Sequence, residues 1–343
     1  MRAVRVGRFG EPEDVVEIGE VEPPTPGPGE VLVRVAAGSL NFGDVARCRG
    51  GVAAVTPEPP FTLGMDMAGV VESAGEGLEE WVGRRVVGIA QQSLGGLAEL
   101  AVAGTVFDAP PELDDEEAAA FTLPFHVSYL ALHERAGLQD GETVLVRGGA
   151  SAVGTAAIQL AKAAGARVIA VAGGPEKGQV CRELGADVVL DHRRDDLFAA
   201  VMDDTDDRGA DVVFDPIGGE ATEAIWTCAA LGGRYLAVGF NDDAQSGMTG
   251  RPLRKVSMLN LTVMGVLLAY FDTPRAFRQF GINAFPPETG RRVHERLCEL
   301  VASGAVRPQI GRRIGMDGVG RALADHAAGL TSGRTVVRIG PAA

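Results

Sequence analysis

The feature that most constrains the fold is a short apolar run that leads through a glycine-rich turn into a helix-forming segment. The run at 144–146 is followed by Gly148, Gly149 and Gly154, and an alanine-rich segment begins directly after the last glycine. Small residues at such a turn let a phosphate approach the free amides at the start of a helix. Gly149 and Gly154 match the first and third glycines of the dinucleotide fingerprint, but Ser151 stands at the middle position. By itself the turn is a weak signal, and a tight turn for helix–sheet packing is the alternative.

The region around this turn alternates between β-type runs and helix-forming segments. The runs are continuous and apolar, as in strands that helices cover on both faces. The runs lie at 143–147, 167–171, 188–190, 212–214, 234–239 and 261–266, and the helix-forming segments at 153–164, 175–184 and 220–230. Strands that alternate with helices predict parallel β-α-β units. The sequence therefore predicts an α/β fold with a doubly wound parallel sheet of the Rossmann type.

The chain on either side of this region has a different pattern. Short β-type runs separated by turn residues, typical of an antiparallel β region, lie at 31–37, 68–72, 85–89 and 97–102. The tail has a helix-forming segment at 290–303 and a last β-type run at 335–339, and we expect it to return to the first domain. We therefore predict one domain of 1–122 with 267–343, and an inserted dinucleotide-binding domain of 123–266.

Composition and charge exclude several classes of function. The chain has 343 residues, and its 32 lysines and arginines against 46 aspartates and glutamates give a formal net charge of −14. Such a molecule repels a nucleic-acid backbone. The four cysteines are far apart in the sequence, which argues against a disulfide framework and fits a reducing compartment. With no visible secretory signal or bilayer-long apolar stretch, we expect a soluble cytoplasmic protein without a membrane partner.

The end of the second predicted strand indicates which dinucleotide the turn would bind. NAD is held by an acid at this position, which accepts a hydrogen bond from the ribose. The strand ends instead in Gly173 and Gly174, and Lys177 follows within a turn. The missing acid, the open space and the lysine favour the additional phosphate of NADPH. Further basic candidates, each with a solvated surface position as the alternative, are Arg182, His192, Arg193 and Arg194.

Five further motifs occur in order along nearly the whole chain: GEVLVRV (29–35), NFGD (41–44), LGMDMAGVV (63–71), GGLAE (95–99) and DPIGG (215–219). Together they resemble the medium-chain dehydrogenase/reductase superfamily, in its branch of zinc-free NADPH:quinone oxidoreductases. The resemblance implies a Rossmann domain inserted near residue 122 into a GroES-like, mostly antiparallel β catalytic domain, and a homodimer joined along the Rossmann sheets. It also implies hydride transfer from NADPH to a small electrophilic acceptor, a quinone or an α,β-unsaturated carbonyl.

The positions that match the zinc ligands of metal-containing relatives are Asn41 and Met65. Neither an amide oxygen nor a thioether is a competent zinc ligand, so we expect no metal site. Without a Lewis acid, nothing evident stabilises the alkoxide of an alcohol substrate. Reduction of a conjugated acceptor avoids this need, because the charge spreads into an enolate or quinol oxygen.

The resemblance also assigns cofactor contacts. Asn41 is expected beside the nicotinamide, where its amide would donate a hydrogen bond to the developing oxyanion, and Asp44 is expected to organise the loop. Val127 stands where quinone reductases often carry a threonine. The remaining predicted contacts, with ordinary packing as the alternative for the last four, are Gly149, Ala150, Ser151, Ala152, Val153, Gly173, Lys177, His192, Gly239, Phe240, Gly265 and Val266.

His126 is the histidine predicted near the cleft between the domains, because it follows Pro124 at the predicted junction. With an unperturbed pKa of about 6.5 it would donate a proton to the enolate. The alternative is a packing histidine with satisfied hydrogen bonds. We expect His133, His294 and His326, which stand beside charged residues, to be solvated.

Two other functions stay open. An enoyl-thioester reductase resembling this fold carries a proton-donating tyrosine shortly after the Asn41 motif, and residues 49–52 contain none. A non-catalytic NADPH-binding protein would show the same phosphate turn without turnover. A metal-dependent alcohol dehydrogenase would require the zinc ligands that the sequence lacks.

Overall fold

The computed structural model describes residues 1–51, 56–219, 221–239, 253–272, 275–279 and 282–340. The chain divides into two compact units: unit 1 is Met1–Leu123 with Arg307–Ala343, and unit 2 is Pro124–Val306. The first boundary lies next to the predicted one. The second lies beyond the predicted position at 267, because the helix at 287–302 places His294 against His126 within unit 2.

The described residues form fifteen strands and eleven α-helices. The strands are β1 (Arg2–Val6), β2 (Val16–Glu20), β3 (Val31–Ser39), β4 (Phe61–Thr62), β5 (Asp66–Ala74), β6 (Arg85–Ala90), β7 (Leu100–Asp108), β8 (Thr143–Arg147), β9 (Arg167–Ala172), β10 (Val188–Asp191), β11 (Ala210–Asp215), β12 (Ala229–Ala237), β13 (Thr262–Gly265), β14 (Ile310–Gly315) and β15 (Arg334–Arg338). The α-helices are α1 (Pro12–Val15), α2 (Phe42–Cys48), α3 (Asp115–Tyr129), α4 (Ala152–Ala163), α5 (Pro175–Glu183), α6 (Leu197–Asp204), α7 (Thr222–Trp226), α8 (Leu253–Met258), α9 (Arg275–Gln279), α10 (Pro287–Ala302) and α11 (Val319–Ala327). Helix α3 continues directly into a π-helical segment, Leu130–Arg135.

Unit 2 is built on a six-stranded sheet in the order β10-β9-β8-β11-β12-β13, and every pairing is parallel. This is the strand order of a doubly wound Rossmann sheet. Leu145 pairs with Ile169 on one side and Val213 on the other, and all three are fully buried. The predicted α/β fold is confirmed. The strand order reverses at β8, and ligands of such sheets bind at the carboxyl ends of the strands beside that reversal.

The main sheet of unit 1 has the order β14-β15-β3-β5-β6-β7, and β7 also pairs with β3. Strands β3, β5, β6 and β7 are antiparallel and close into a ring. Its buried core includes Val33, Val35 and Met67. The mostly antiparallel first domain is therefore as predicted, and β15 returns the tail to it by pairing with β3.

Several predicted elements have different bounds, and two of the differences have a clear structural reason. The run at 97–102 becomes a strand only from Leu100, because Ala98 makes an isolated bridge to Ala3 instead. The predicted helix at 220–230 is limited to α7, because β12 already begins at Ala229, which pairs with Ala210. Among the residues described, no helix combines the length and the apolar character that crossing a membrane requires.

Candidate functional site

The glycines of the turn after β8 are required by close packing. A Cβ on Gly154 would lie 2.2 Å from the carbonyl oxygen of Gly148, and one on Gly149 would lie 2.9 Å from Sγ of Cys181. Gly148 itself has a φ of 63°, a conformation that favours glycine. Side chains are therefore excluded where the sequence predicts a phosphate turn, and the same contacts also satisfy the helix–sheet packing alternative.

The amides at the start of α4 show which part of the turn is open to a ligand. The N–H of Gly149 donates to the carbonyl of Val171 at 2.9 Å, and Gly149 and Ala150 are both buried. Ser151 caps the helix by accepting from the N–H of Gly154 at 3.1 Å. Ala152 and Val153 are the first two residues of α4 and are partly exposed. Because N–H groups at these positions have no acceptor within the helix, the amides of Ala152 and Val153 could hold an anion.

The carboxyl end of β9 is the second segment for which the sequence predicts cofactor contacts. A Cβ on Gly173 would lie 2.6 Å from Cε1 of His192 and 3.1 Å from Nε of Arg193. The carboxylate of Asp191 fixes this geometry by accepting from the N–H groups of Gly174 at 3.1 Å and Arg193 at 3.0 Å. Two basic side chains, His192 and Arg193, therefore stand against a position without a side chain.

Lys177 lies in the first turn of α5, which begins directly after Gly174. Burial lowers the pKa of its ammonium group, and the positive charge of Arg193 lowers it further. Two cations that repel each other are an arrangement that an anion would relieve. Arg193, for which a solvated surface position was the alternative, is exposed, and its charge acts on Lys177. We call Ser151, Ala152, Val153, Gly173, Lys177 and Arg193 the cofactor cradle.

A buried carboxylate, Asp215, shapes the neighbouring strand end. It is fully buried and accepts hydrogen bonds from Nη1 of Arg147 at 3.0 Å and from Oη of Tyr235 at 2.8 Å. It also accepts from the N–H groups of Ile217 at 2.9 Å and Gly218 at 3.0 Å. Burial, followed by the charge of Asp215, raises the pKa of Tyr235, so this hydroxyl remains a donor. The DPIGG motif is therefore a turn held by its own aspartate.

The remaining predicted cofactor contacts of unit 2 lie at the ends of β12 and β13. A Cβ on Gly239 would lie 2.2 Å from the carbonyl oxygen of Pro216. Gly265 is exposed, has nothing within 4 Å of an added Cβ, and accepts a hydrogen bond from Nε of Arg135 at 3.2 Å. The N–H of Val266 donates to the carbonyl of Ala237 at 3.3 Å. Phe240 lies outside the described residues.

Helix α3 is hydrogen-bonded to two segments of unit 2 that contain or adjoin predicted cofactor contacts. Oγ of Ser128 donates to the carbonyl of Val153 at 3.1 Å, which connects α3 to the start of α4. Nδ1 of His126 lies 2.9 Å from Oη of Tyr270, which connects it to the segment that follows β13. Val127, between these two ties, is 7% exposed. Its position is therefore set by its neighbours on both sides.

His126 is fully buried, and both of its ring nitrogens have partners, since Nε2 lies 3.2 Å from Nδ1 of His294. Burial, followed by the charge of His294, lowers its pKa well below the ordinary value. The structure thus favours the packing alternative for His126 over proton donation to a substrate. His294, which was expected to be solvated, is 6% exposed, because it faces His126 on the inner side of α10. Histidine spacing alone gave no signal for this pairing.

Asn41 of unit 1 is held in a buried cluster with Ser39, Asp66 and Arg334, which we call the Asn41 cluster. Its Nδ2 donates to Oδ1 of Asp66 at 2.8 Å, and its Oδ1 accepts from Nη1 of Arg334 at 2.8 Å. Arg334 also pairs with Asp66 at 2.5 Å and with the hydroxyl of Ser39. The amide of Asn41 is therefore engaged by the protein itself, which competes with its predicted donation to an oxyanion.

Asp44 holds the backbone of Asn41 at the start of α2. Its Oδ2 accepts from the N–H of Asn41 at 2.9 Å, which caps the start of α2. Burial raises the pKa of Asp44, although the charge of Arg47 opposes this shift. The organising role expected for Asp44 agrees with this contact.

The residues at the zinc-ligand positions do not fit a metal ion. The only oxygen of the Asn41 side chain already faces the guanidinium of Arg334, whose charge would repel a cation. Met65 offers a thioether, which is a poor zinc ligand. Over the described ranges, no group of three or more His, Cys, Asp or Glu side chains is arranged to hold a metal.

Two family profiles match the chain, one in each unit. The profile described as "Alcohol dehydrogenase GroES-like domain" matches residues 27–107. The profile described as "Zinc-binding dehydrogenase" matches residues 152–282. The chain is also similar to part of a much larger protein, the phthioceranic/hydroxyphthioceranic acid synthase of Mycobacterium tuberculosis, with 34% identity over 258 residues. That match covers 74% of this chain but only 12% of the synthase.

Two relatives are similar over nearly the whole chain. The quinone oxidoreductase of Lama guanicoe is 31% identical over 342 residues, covering 98% of this chain and 97% of that protein. The crystal structure of Escherichia coli quinone oxidoreductase complexed with NADPH has a TM-score of 0.84 and 25% identity, covering 98% of this chain and 100% of that one. Together with the two profiles and the parallel sheet, these matches show that the chain belongs to the medium-chain dehydrogenase/reductase superfamily, in its branch of zinc-free quinone oxidoreductases.

Proposed function

We propose that the chain is a zinc-independent oxidoreductase that transfers hydride from NADPH to a quinone or an α,β-unsaturated carbonyl. The observation that carries this proposal is the carboxyl end of β9, where Gly173 and not an acid follows the strand, where His192 and Arg193 lie against Gly173, and where the charge of Arg193 acts on Lys177. An acid there would accept from the ribose of NAD and repel the additional phosphate of NADPH. The NADPH found in the Escherichia coli relative agrees with this choice.

The residues of the cofactor cradle fit both anionic parts of the dinucleotide. The amides of Ala152 and Val153, together with the dipole of α4, would hold the pyrophosphate. Lys177 and Arg193 would hold the additional phosphate through charge-assisted hydrogen bonds, with His192 beside them. Asp191 remains ionised, because backbone hydrogen bonds lower its pKa, and the three basic side chains Lys177, His192 and Arg193 would have to outweigh its charge.

Bound NADPH supplies the hydride, and the protein supplies the position of the reactants and a dry environment. Val127, Gly239, Gly265 and Val266 offer aliphatic side chains and backbone, so they would line the nicotinamide without adding charge. Asn41 would act in unit 1 as a rigid amide whose orientation Arg334 and Asp66 fix. We assign no proton transfer to His126, because its ring nitrogens are buried and paired.

An enoyl thioester is a second candidate acceptor. The observation that favours it is the match to a segment of an acid synthase. The lack of a tyrosine at 49–52 speaks against it. A homodimer joined along the Rossmann sheets and a cytoplasmic location stay predictions.

Turnover by the purified protein tests the proposal directly. NADPH oxidation is followed with a quinone, an enone and an enoyl thioester, each with and without a metal chelator. We expect turnover of the quinone or the enone that the chelator leaves unchanged. Loss of turnover with the chelator would contradict a zinc-independent reaction. Tight NADPH binding without turnover of any acceptor would identify a non-catalytic binding protein instead.

A further inference from the structure

One cysteine differs from the other three in its surroundings. Cys48, Cys181 and Cys228 are fully buried, and burial raises the pKa of their thiols to about 12, about 11 and about 11. They therefore remain protonated and out of reach of solutes. Cys298, on α10, is partly exposed.

Cys298 belongs to a row of hydrogen-bonding side chains within unit 2. Its Sγ lies 3.3 Å from Nε2 of His294, which precedes it by one helical turn. Nδ1 of His294 lies 3.2 Å from Nε2 of His126, and Nδ1 of His126 lies 2.9 Å from Oη of Tyr270. His294, His126 and Tyr270 are all buried, at 6%, 0% and 7% exposure. The row thus runs from a partly exposed thiol to a buried phenol.

One set of tautomers makes His294 a base towards the thiol. His126 donates from Nδ1 to Oη of Tyr270, so that its Nε2 accepts from Nδ1–H of His294. Nε2 of His294 is then free of a proton and accepts the S–H of Cys298. Because His126 is kept neutral by its burial, it remains an acceptor when His294 becomes charged. A nucleophile, a base within hydrogen-bond reach and a third group that orients the base form the arrangement that activates thiols in enzymes.

We propose that Cys298 is a covalent modification site for soft electrophiles, in particular α,β-unsaturated carbonyls, with His294 as the base. The thiol proton moves to Nε2 of His294, and Sγ forms a bond to the β-carbon of the acceptor. The electron pair of the carbon–carbon double bond moves towards the carbonyl oxygen. The proton then passes from His294 to the α-carbon, which completes the addition without an oxidant or reductant.

The addition is independent of hydride transfer, because no group of the row belongs to the cofactor cradle. The chemical class of the electrophile nevertheless coincides with the proposed acceptor. A protein that reduces such compounds would therefore carry a thiol that reacts with them when they accumulate. Tyr270 and His126 connect that thiol with the segment after β13 and with α3.

Alkylation kinetics without NADPH test the proposal separately from turnover. The folded protein is treated with N-ethylmaleimide and, in a second series, with methyl vinyl ketone, and adducts are located by mass spectrometry of peptides. We expect one adduct per chain, at Cys298, formed faster than the adduct of glutathione under the same conditions. Cys298→Ser should abolish it, whereas Cys228→Ser should leave its rate unchanged.

The role of His294 is tested by His294→Asn, which keeps a group near Nδ1 and removes the base at Nε2. We expect the alkylation rate to fall at least about tenfold, the lower range for loss of a general base. Tyr270→Phe should slow it less, because the ring stays and only the orientation of His126 is lost. Thermal unfolding and NADPH binding establish that each variant is folded. The proposal would be overturned by any of three results. These are an unchanged alkylation rate in His294→Asn, an alkylation rate of the unsubstituted protein no higher than that of glutathione, and modification of another cysteine before Cys298. If His294→Asn does not fold, the comparisons with glutathione and Tyr270→Phe decide.

Discussion

The cofactor cradle of unit 2 and the Asn41 cluster of unit 1 are opposite kinds of polar site. The cradle presents amides at a helix start together with a partly exposed and an exposed cation. The Asn41 cluster is buried, and its guanidinium, carboxylate and amide are bonded to one another. The first site is reached by solvent, whereas the second is enclosed by the protein.

We therefore expect substitutions in the Asn41 cluster to lower stability and substitutions in the cofactor cradle to weaken cofactor binding. Removing one member of a buried charge pair leaves the other charge without compensation. Lys177 is partly exposed and Arg193 is exposed, so we expect removal of either charge to affect the ligand more than the fold. The following variants test whether stability and cofactor binding depend on different residues, and they are given in order of decreasing effect.

Arg334→Met should lower the free energy of unfolding by about 3–5 kcal/mol, because the buried carboxylate of Asp66 loses its counter-charge. The matched control is Arg338→Met on the same strand, whose side chain is 56% exposed and pairs with Glu116. It should cost less than about 1 kcal/mol, as exposed ion pairs do. Urea unfolding measures both. Equal losses would mean that the Asn41 cluster does not behave as a buried unit.

Gly154→Ala should cost about 3 kcal/mol, the upper part of the usual range for overpacking, because the new Cβ would lie 2.2 Å from the carbonyl oxygen of Gly148. The shift of α4 should also weaken NADPH binding. Gly104→Ala is the control, since nothing lies within 4 Å of its added Cβ. A tolerated Gly154→Ala with unchanged NADPH affinity would show that the turn is looser than its contacts indicate.

Lys177→Glu should weaken NADPH binding by roughly 10–100-fold, which corresponds to loss of a charge-assisted contact of about 1.5–3 kcal/mol. NADH binding should be unchanged, and so should the urea midpoint. Arg208→Glu, at a side chain that is 62% exposed, controls for the change in net charge. Titration calorimetry with both cofactors measures the difference. An equal loss for NADPH and NADH would place the additional phosphate elsewhere.

The buried His126 predicts the smallest effect, a loss of stability in acid. Above its ordinary pKa of 6.5 the imidazole is neutral in both the folded and the unfolded state. Below that value the unfolded chain binds a proton at His126, whereas the folded chain does not, because burial lowers the pKa of His126. Stability therefore decreases as the pH falls, by about 1 kcal/mol between about pH 7.5 and 5.5. His126→Asn should flatten this dependence in urea unfolding. His133, whose pKa burial also lowers, contributes with the same sign and explains a remaining slope. An unchanged slope would assign the acid sensitivity to other groups.

The sequence predicts the cradle better than the cluster, for a physical reason. Gly149 and Gly154 fix the turn before α4 through local backbone geometry, and Lys177 lies in the first turn of α5 directly after β9, so spacing along the chain carries the information. The alternating apolar runs likewise predict the sheet, because burial on both faces leaves a local pattern. Gly173 is informative in the sequence because an NAD-binding domain would carry an acid at this position.

The contacts of Asn41 and His126 could not be read in this way. Asn41 meets Asp66 and Arg334 from distant parts of the sequence, and no periodicity links these positions. His126 meets Tyr270 and His294, which follow it by 144 and 168 residues. Long-range pairing of polar groups decides whether an amide or an imidazole is available to a substrate, and it appears only when the chain is folded.

Asp191 stands one strand away from the place where an NAD-binding acid would be, and its oxygens brace the backbone of Gly174 and Arg193. Converting the protein to NADH would therefore need a newly introduced carboxylate at the tip of β9, because rotating the existing one would dismantle the loop it supports. Asp191 is thus committed to the loop, and a change of nucleotide would need a second carboxylate at this corner of the sheet.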